Sequence, residues 1–167
     1  MSAAFSLYLR EFEREGKRVA HTIMQKEQAM PISDELMGLF RAAVEAAGAS
    51  YSPYSHVPVG AAILTADGMV YTGTNVENRS FGLTNCAERT AVFKAVSEGR
   101  RSFVAVAIAA PKAGYPVGPC GACRQVLTEF AGGDVPVIFG SCEADVVVRT
   151  LGELYPCDSL HELASES

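Results

Sequence analysis

Asn85-Cys86-Ala87-Glu88-Arg89-Thr90 and Pro119-Cys120-Gly121-Ala122-Cys123 each open an apolar-periodic run, and the chain is organised around the pair. Cys86 and Glu88 form a Cys-x-Glu, and Cys120 and Cys123 a Pro-Cys-x-x-Cys. Three thiolates leave one position open on a tetrahedral zinc ion, which is how a catalytic zinc is arranged. A carboxylate two residues from one ligand, Glu88, is placed to move protons at that position. A competing reading is a structural zinc site completed by Cys142, Cys157 or His56, since such sites normally take four protein ligands. Glu88 has its own competing role, as a first-turn acid stabilising a helix N-terminus.

Working outward, the segments on either side alternate helix and strand. Ser33 is an N-cap with Asp34 and Glu35 in the favoured acidic first turn, so a helix is expected over 33–47, ending at Gly48. Pro53 and Pro58 make 51–58 a loop. Strands are expected over 59–64 and 69–74, joined through Ala66-Asp67-Gly68, because Asp-Gly readily takes positive φ. The Cys86 helix carries Ala87, Ala91, Phe93, Ala95 and Val96 as its buried set and stops at Gly99. The nearly all-apolar run 103–110 reads as a strand covered on both faces. A second cysteine helix follows over 120–130, then strands over 135–139 and 146–149. Short helices are expected over 151–154 and 159–164. This order predicts an α/β fold, a three-layer αβα sandwich with a central five-stranded mixed sheet. Residues 1–30 are charged and weakly patterned and read as an N-terminal extension, either a tail or an added helix. Residues 31–167 form the single catalytic domain.

Composition excludes several classes. A chain of 167 residues suits one domain with a real core. With a net charge of −5 and no basic stripe, it is a poor binder of polynucleotide phosphates. Five cysteines, an odd number without a signal peptide, point away from a disulfide framework and toward a reducing cytoplasm. No apolar run approaches the ~18 residues of a membrane span.

Further motifs stand in one order with the cysteines: Tyr51-Ser52-Pro53-Tyr54-Ser55-His56, Pro58-Val59-Gly60-Ala61-Ala62 and Asn75-Val76-Glu77-Asn78, with Arg124-Gln125 after the second cysteine pair. Together they resemble the small, homotetrameric class of zinc-dependent cytidine deaminases, over about 32–160. The resemblance implies one zinc per chain on Cys86, Cys120 and Cys123, and Glu88 as the proton shuttle. It implies hydrolysis of cytidine and deoxycytidine to the uridine product plus ammonia, in pyrimidine salvage. It also implies a homotetramer whose pockets are completed by neighbouring subunits. Three thiolates on Zn²⁺ leave a net charge near −1, so compensation is expected from two helix N-termini and from Arg89 and Arg124 donating to sulfur. Asn75 and Glu77, one residue apart on a strand, share a face, and in similar enzymes this pair holds the sugar 3′-hydroxyl. The alternative for the pair is a polar strand end. Tyr54 is either a wall of the base pocket or a packing ring.

Three positions depart from the family pattern. Val57 stands where a Phe usually packs on the base, Phe81 where a Tyr is usual, and Ser159 about where a Phe reaches a neighbour's pocket. These departures keep a second substrate class open, a modified cytosine nucleoside such as a blasticidin-like or N4-substituted cytidine. A reading from another class is a non-catalytic, zinc-stabilised interaction protein, against which the intact Glu88 argues.

Overall fold

In a computed structural model, which describes residues 32–158, the apolar segment Phe103–Ala109 is the middle strand of a five-stranded sheet. In chain order the strands are β1 (Gly60–Thr65), β2 (Val70–Thr74), β3 (Phe103–Ala109), β4 (Pro136–Gly140) and β5 (Val147–Thr150), arranged β2-β1-β3-β4-β5. β3 runs parallel to β4, with Val106 opposite Val137, and antiparallel to β1, with Ala61 opposite Ile108. The β1–β2 and β4–β5 pairs are antiparallel, so the sheet is mixed. All of β3 except Val104 is buried, as a central strand covered on both faces requires.

The helices are α1 (Asp34–Ala47), α2 (Ala87–Ser97), α3 (Gly121–Thr128) and α4 (Leu151–Leu154). Side-chain alternation along the strands sends residues to two separate cores. Ala62, Ala105, Ala107 and Ile138 pack against Leu36, Leu39, Phe40 and Ala43 of α1. Ala61, Ile63, Val106, Ile108 and Val137 pack against α2, α3 and α4 through Ala87, Ala91, Val92, Leu127 and Leu151. The three-layer αβα arrangement follows directly.

Local chemistry starts and stops these elements as expected, with two corrections. The Ser33 hydroxyl accepts from the Leu36 amide at 3.2 Å and begins α1. Gly68 turns the β1–β2 hairpin at φ 82°. Gly48 closes α1 in a right-handed conformation, φ −62°, so its freedom at positive φ is not used. Phe93 is 53% exposed and is not core. The inward stripe of α2 is Ala87, Glu88, Ala91, Val92 and Ala95, at helical spacing, and position 93 falls outside it. The expectations for 1–30, for Ser159 and for a helix over 159–164 lie outside the described residues.

β2, β3 and β4 end at the same edge of the sheet, where β1 begins. The segments 51–59, 75–86 and 110–120 therefore gather there, outside the carboxyl ends of parallel strands, the usual place for a ligand in an α/β sheet.

Candidate metal centre and active site

Cys86 is the N-cap of α2 and Cys120 the N-cap of α3. Both have extended backbones, and neither spends its side chain on capping. Cys123 lies in the first turn of α3 and is fully buried. The Cys86 and Cys120 sulfurs are 3.9 Å apart, those of Cys120 and Cys123 3.5 Å, and all three lie within 4.8 Å of one another. Tetrahedral zinc with Zn–S near 2.3 Å requires sulfurs about 3.8 Å apart, so the donor set fits one zinc ion. Among the described residues the cluster consists of these three alone, and Cys142, Cys157 and His56 do not join it. Among the described residues no fourth protein ligand stands at the cluster, which is the donor set of a zinc site with a position open to a small molecule.

The surroundings favour negative charge on sulfur. Two helix N-termini meet at the cluster. Arg89 donates from Nη2 to Cys86 Sγ at 3.4 Å. The Cys86 thiol is lowered to about 5, first by the hydrogen bond with Cys123 and then by Arg89. Cys123 is pushed up by the same Cys86 contact and by burial. Arg124 does not play the expected part. Its Nε donates to the Pro119 carbonyl at 2.8 Å and its Nη1 to the Leu154 carbonyl at 2.7 Å, so it ties the cysteine turn to α4 instead of charging a sulfur.

Glu88 is in the first turn of α2, two residues on from Cys86, and is only 4% exposed. Its carboxyl is raised above the usual range, chiefly by burial, with the Cys86 charge adding to the shift. A carboxyl so placed holds a proton more readily than a solvated one.

Tyr54, Ser55, Glu77, Phe81 and Thr84 line an open cavity of about 370 Å³, and Thr84 lies two residues before Cys86. Tyr54 and Phe81 meet edge to face at 6.0 Å. Glu77 accepts from the amides of Tyr54 (2.9 Å) and Ser55 (3.3 Å), and is held below the usual carboxylate range by the Ser55 side chain first and then the Tyr54 amide. Asn75 and Glu77 flank Val76, which bridges to both Tyr51 and Asn85 beyond the end of β2, and both side chains bond the 50–59 segment. β2 ends at Thr74, and Asn75 turns into the 50–59 segment, where its Oδ1 accepts from Ser50 Oγ and the Val59 amide and its Nδ2 donates to the Val57 carbonyl. Neither Asn75 nor Val57 lines the cavity. Thr84 enters the cavity wall although the sequence gives no sign of it, because a lone hydroxyl residue in a loop carries no signal, and Ser55 enters it from a motif that singled out no role for it. Another cavity of about 360 Å³, lined by Thr65, Asp67, Arg100 and Arg101 among others, lies by the β1–β2 turn at the far edge of the sheet and holds no candidate site residue.

The family model described as "Cytidine and deoxycytidylate deaminase zinc-binding region" matches residues 33–139. A cytidine deaminase of Sporosarcina psychrophila is 53% identical over 107 residues, covering 64% of this chain and 78% of the relative. One from Halalkalibacterium halodurans is 52% identical over 118 residues, covering 71% and 89%. The crystal structure of cytidine deaminase from Burkholderia pseudomallei superposes with a TM-score of 0.68 at 45% identity, covering 72% of this chain and 95% of that one.

Proposed function

The chain belongs to the cytidine and deoxycytidylate deaminase zinc-binding family, and from that premise we propose that it is a zinc-dependent hydrolase converting cytidine and deoxycytidine to the uridine product and ammonia. The observation that carries the reading is a carboxyl buried to 4% exposure in the first turn of the helix that Cys86 caps.

Cys86, Cys120 and Cys123 hold one zinc per chain. Zinc bound there supplies a water with its pKa brought from about 15.7 to about 7. Glu88 takes a proton from the attacking water as its oxygen bonds to C4 of the cytosine ring, and passes that proton to N3. Glu88 then takes the remaining hydroxyl proton and delivers it to the exocyclic nitrogen. The C4–N4 bond breaks, C4 becomes a carbonyl and ammonia leaves, so one water is consumed per ammonia formed. Burial of Glu88 keeps the shuttled proton from exchanging with bulk water. Arg89 and the helix N-termini offset the net negative charge of a three-thiolate zinc site. Glu77, facing the cavity, accepts from a sugar hydroxyl, and Tyr54 and Phe81 provide apolar wall for the nucleoside.

No helix among the described residues is long and apolar enough to cross a membrane. We place the enzyme in the cytoplasm, where its free thiols stay reduced, in pyrimidine salvage, and assign it a homotetrameric assembly. Residues 1–30 are assigned as an extension outside the catalytic domain of 31–167.

The test follows the loss of cytidine absorbance and the zinc content together. Wild-type protein should turn over cytidine and deoxycytidine and carry one zinc per chain. Glu88→Gln should retain zinc and lose about 10²- to 10⁴-fold in kcat. Turnover of N4-substituted or blasticidin-like nucleosides with none of cytidine would refute the substrate, and wild-type kcat in Glu88→Gln would refute the shuttle.

A further inference from the structure

Two of the three clustered sulfurs are arranged for a second chemistry. Cys120 is exposed and caps α3, while Cys123, in the first turn of the same helix, is fully buried. Their sulfurs are 3.5 Å apart, closer than the 3.9 Å between Cys86 and Cys120. Residues 120–122 are all exposed, and a Cβ added at Gly121 would meet no atom within 4 Å, so the space beside Cys120 is open.

Burial assigns the two sulfurs different parts. Thiol–disulfide exchange needs access to the attacking sulfur, which Cys120 has and Cys123 lacks. A bond between them, at a disulfide length of about 2.05 Å, draws on one turn of backbone. A Cys86–Cys120 bond would have to draw the N-termini of α2 and α3 together, and the Cys86 sulfur is already held by Arg89 Nη2 at 3.4 Å. Cys142 and Cys157 are also exposed, but neither has a second sulfur in a cluster with it among the described residues.

We propose that Cys120 and Cys123 form a reversible redox switch, closed by a low-molecular-weight disulfide, and that closing it releases the metal. The Cys120 thiolate attacks one sulfur of the small disulfide. That S–S bond breaks, one thiolate leaves, and a mixed disulfide stays on Cys120. The Cys123 thiolate then attacks the Cys120 sulfur, forms the Cys120–Cys123 bond and expels the second thiolate. The two cysteines give up two electrons, and the small disulfide gains them and becomes two thiols, taking protons from water. A metal ligand must be a thiolate, so only Cys86 remains of the donor set, too few to hold zinc. A dithiol reductant reverses the steps. The proposal rests on the zinc reading for its consequence, but not for the disulfide itself.

The test uses the zinc-loaded full chain carrying Cys142→Ser and Cys157→Ser, which leaves only the three clustered thiols. Excess oxidised glutathione is added beside a chromophoric chelator. Free thiols should fall from three to one per chain, and one zinc should be released for every two thiols lost. Peptide mapping should find Cys120 joined to Cys123, and alkylation should then label Cys86 alone. Dithiothreitol with added zinc should restore the thiols and the metal. The unsubstituted chain should give the same bond, with further glutathione adducts on Cys142 and Cys157, and it decides the matter if the double variant does not fold. Retention of all three thiols overturns the proposal. So does a disulfide that includes Cys86, a glutathione adduct that stays on Cys120, or a Cys120–Cys123 bond formed in zinc-loaded protein without loss of zinc. Failure of the deaminase reading would show instead as absent turnover in the untreated protein, and the peptide map would still decide the disulfide.

Discussion

Two arginines that follow cysteine motifs do different jobs, and the difference is testable. Arg89 donates to the Cys86 sulfur; Arg124 donates to two backbone carbonyls. Arg89→Ala should therefore weaken zinc by about 10–100-fold, the usual cost of losing a group that orients or charges a ligand. Arg124→Ala should cost about 1.5–3 kcal/mol of stability for charged hydrogen bonds lost in a half-buried setting, with a smaller loss of zinc affinity than in Arg89→Ala. Competition with a chromophoric chelator reads the first, denaturant unfolding of the zinc-loaded protein the second. A reversed order would reassign both residues. Sequence position cannot separate them, because adjacency to a ligand says nothing about where a long flexible side chain finds its acceptors. The ligands themselves are legible, since Cys-x-Glu and Cys-x-x-Cys on two helix N-termini leave little freedom in where sulfur lies. Asn75 and Glu77 are legible only as a pair of the right chemistry. Alternation puts both on one face, and although β2 ends at Thr74, Val76 still bridges to Tyr51 and Asn85, so the two flank an extended residue.

The sheet and helices are readable because their apolar periods are strong: β3 is a nearly unbroken apolar run, and α1 begins at a Ser33 cap whose bond is present. Phe93 misleads because a helix rich in alanine offers no contrast by which to find its inward stripe. Two glycines that periodicity also passes over decide how closely the layers approach. A Cβ on Gly60 would overlap the Ala43 carbonyl of α1, and one on Gly73 would overlap the Ala91 amide and the Ala87 carbonyl of α2. These are backbone atoms, so a whole helix must move to relieve the overlap. Each Gly→Ala change should cost about 1–3 kcal/mol or more by overpacking. Gly38, on the exposed side of α1 with open space where a Cβ would sit, is the control: Gly38→Ala should stabilise by about 0.5–1 kcal/mol through helix propensity. Only Gly73 meets the helix that begins at Cys86, so Gly73→Ala should also weaken zinc, whereas Gly60→Ala should not. Equal zinc affinity in the two variants would show that α2 does not transmit its position to the metal site.

At the scale of the whole molecule, the cavity side of a single chain presents large apolar side chains to water. Phe81 is 75% exposed and Leu83 71%, with Tyr54 beside them, in the turn that leads from Glu77 to Cys86. Apolarity alone does not say which surface covers these side chains, since a residue buried by its own fold and one buried by a neighbour look alike in sequence. Covering Phe81 and Leu83 fully would contribute about 1.5–3 kcal/mol each, and it would close a cavity that a deaminase must shield from bulk water. A second copy is the occupant that the homotetramer assignment requires, and closed symmetric assemblies are the common outcome for soluble homo-oligomers. Sedimentation velocity should therefore give a species of four times the 17.7 kDa chain mass. Leu83→Asp, which places a charge in the covered patch without touching a proposed ligand or the proton shuttle, should shift the protein toward smaller species. KM for cytidine should rise with dissociation, while zinc stays at one per chain because all three sulfurs come from the same chain. A wild-type protein that sediments as a monomer at full specific activity would end the argument. A Leu83→Asp protein that remains a tetramer would move the interface to another face.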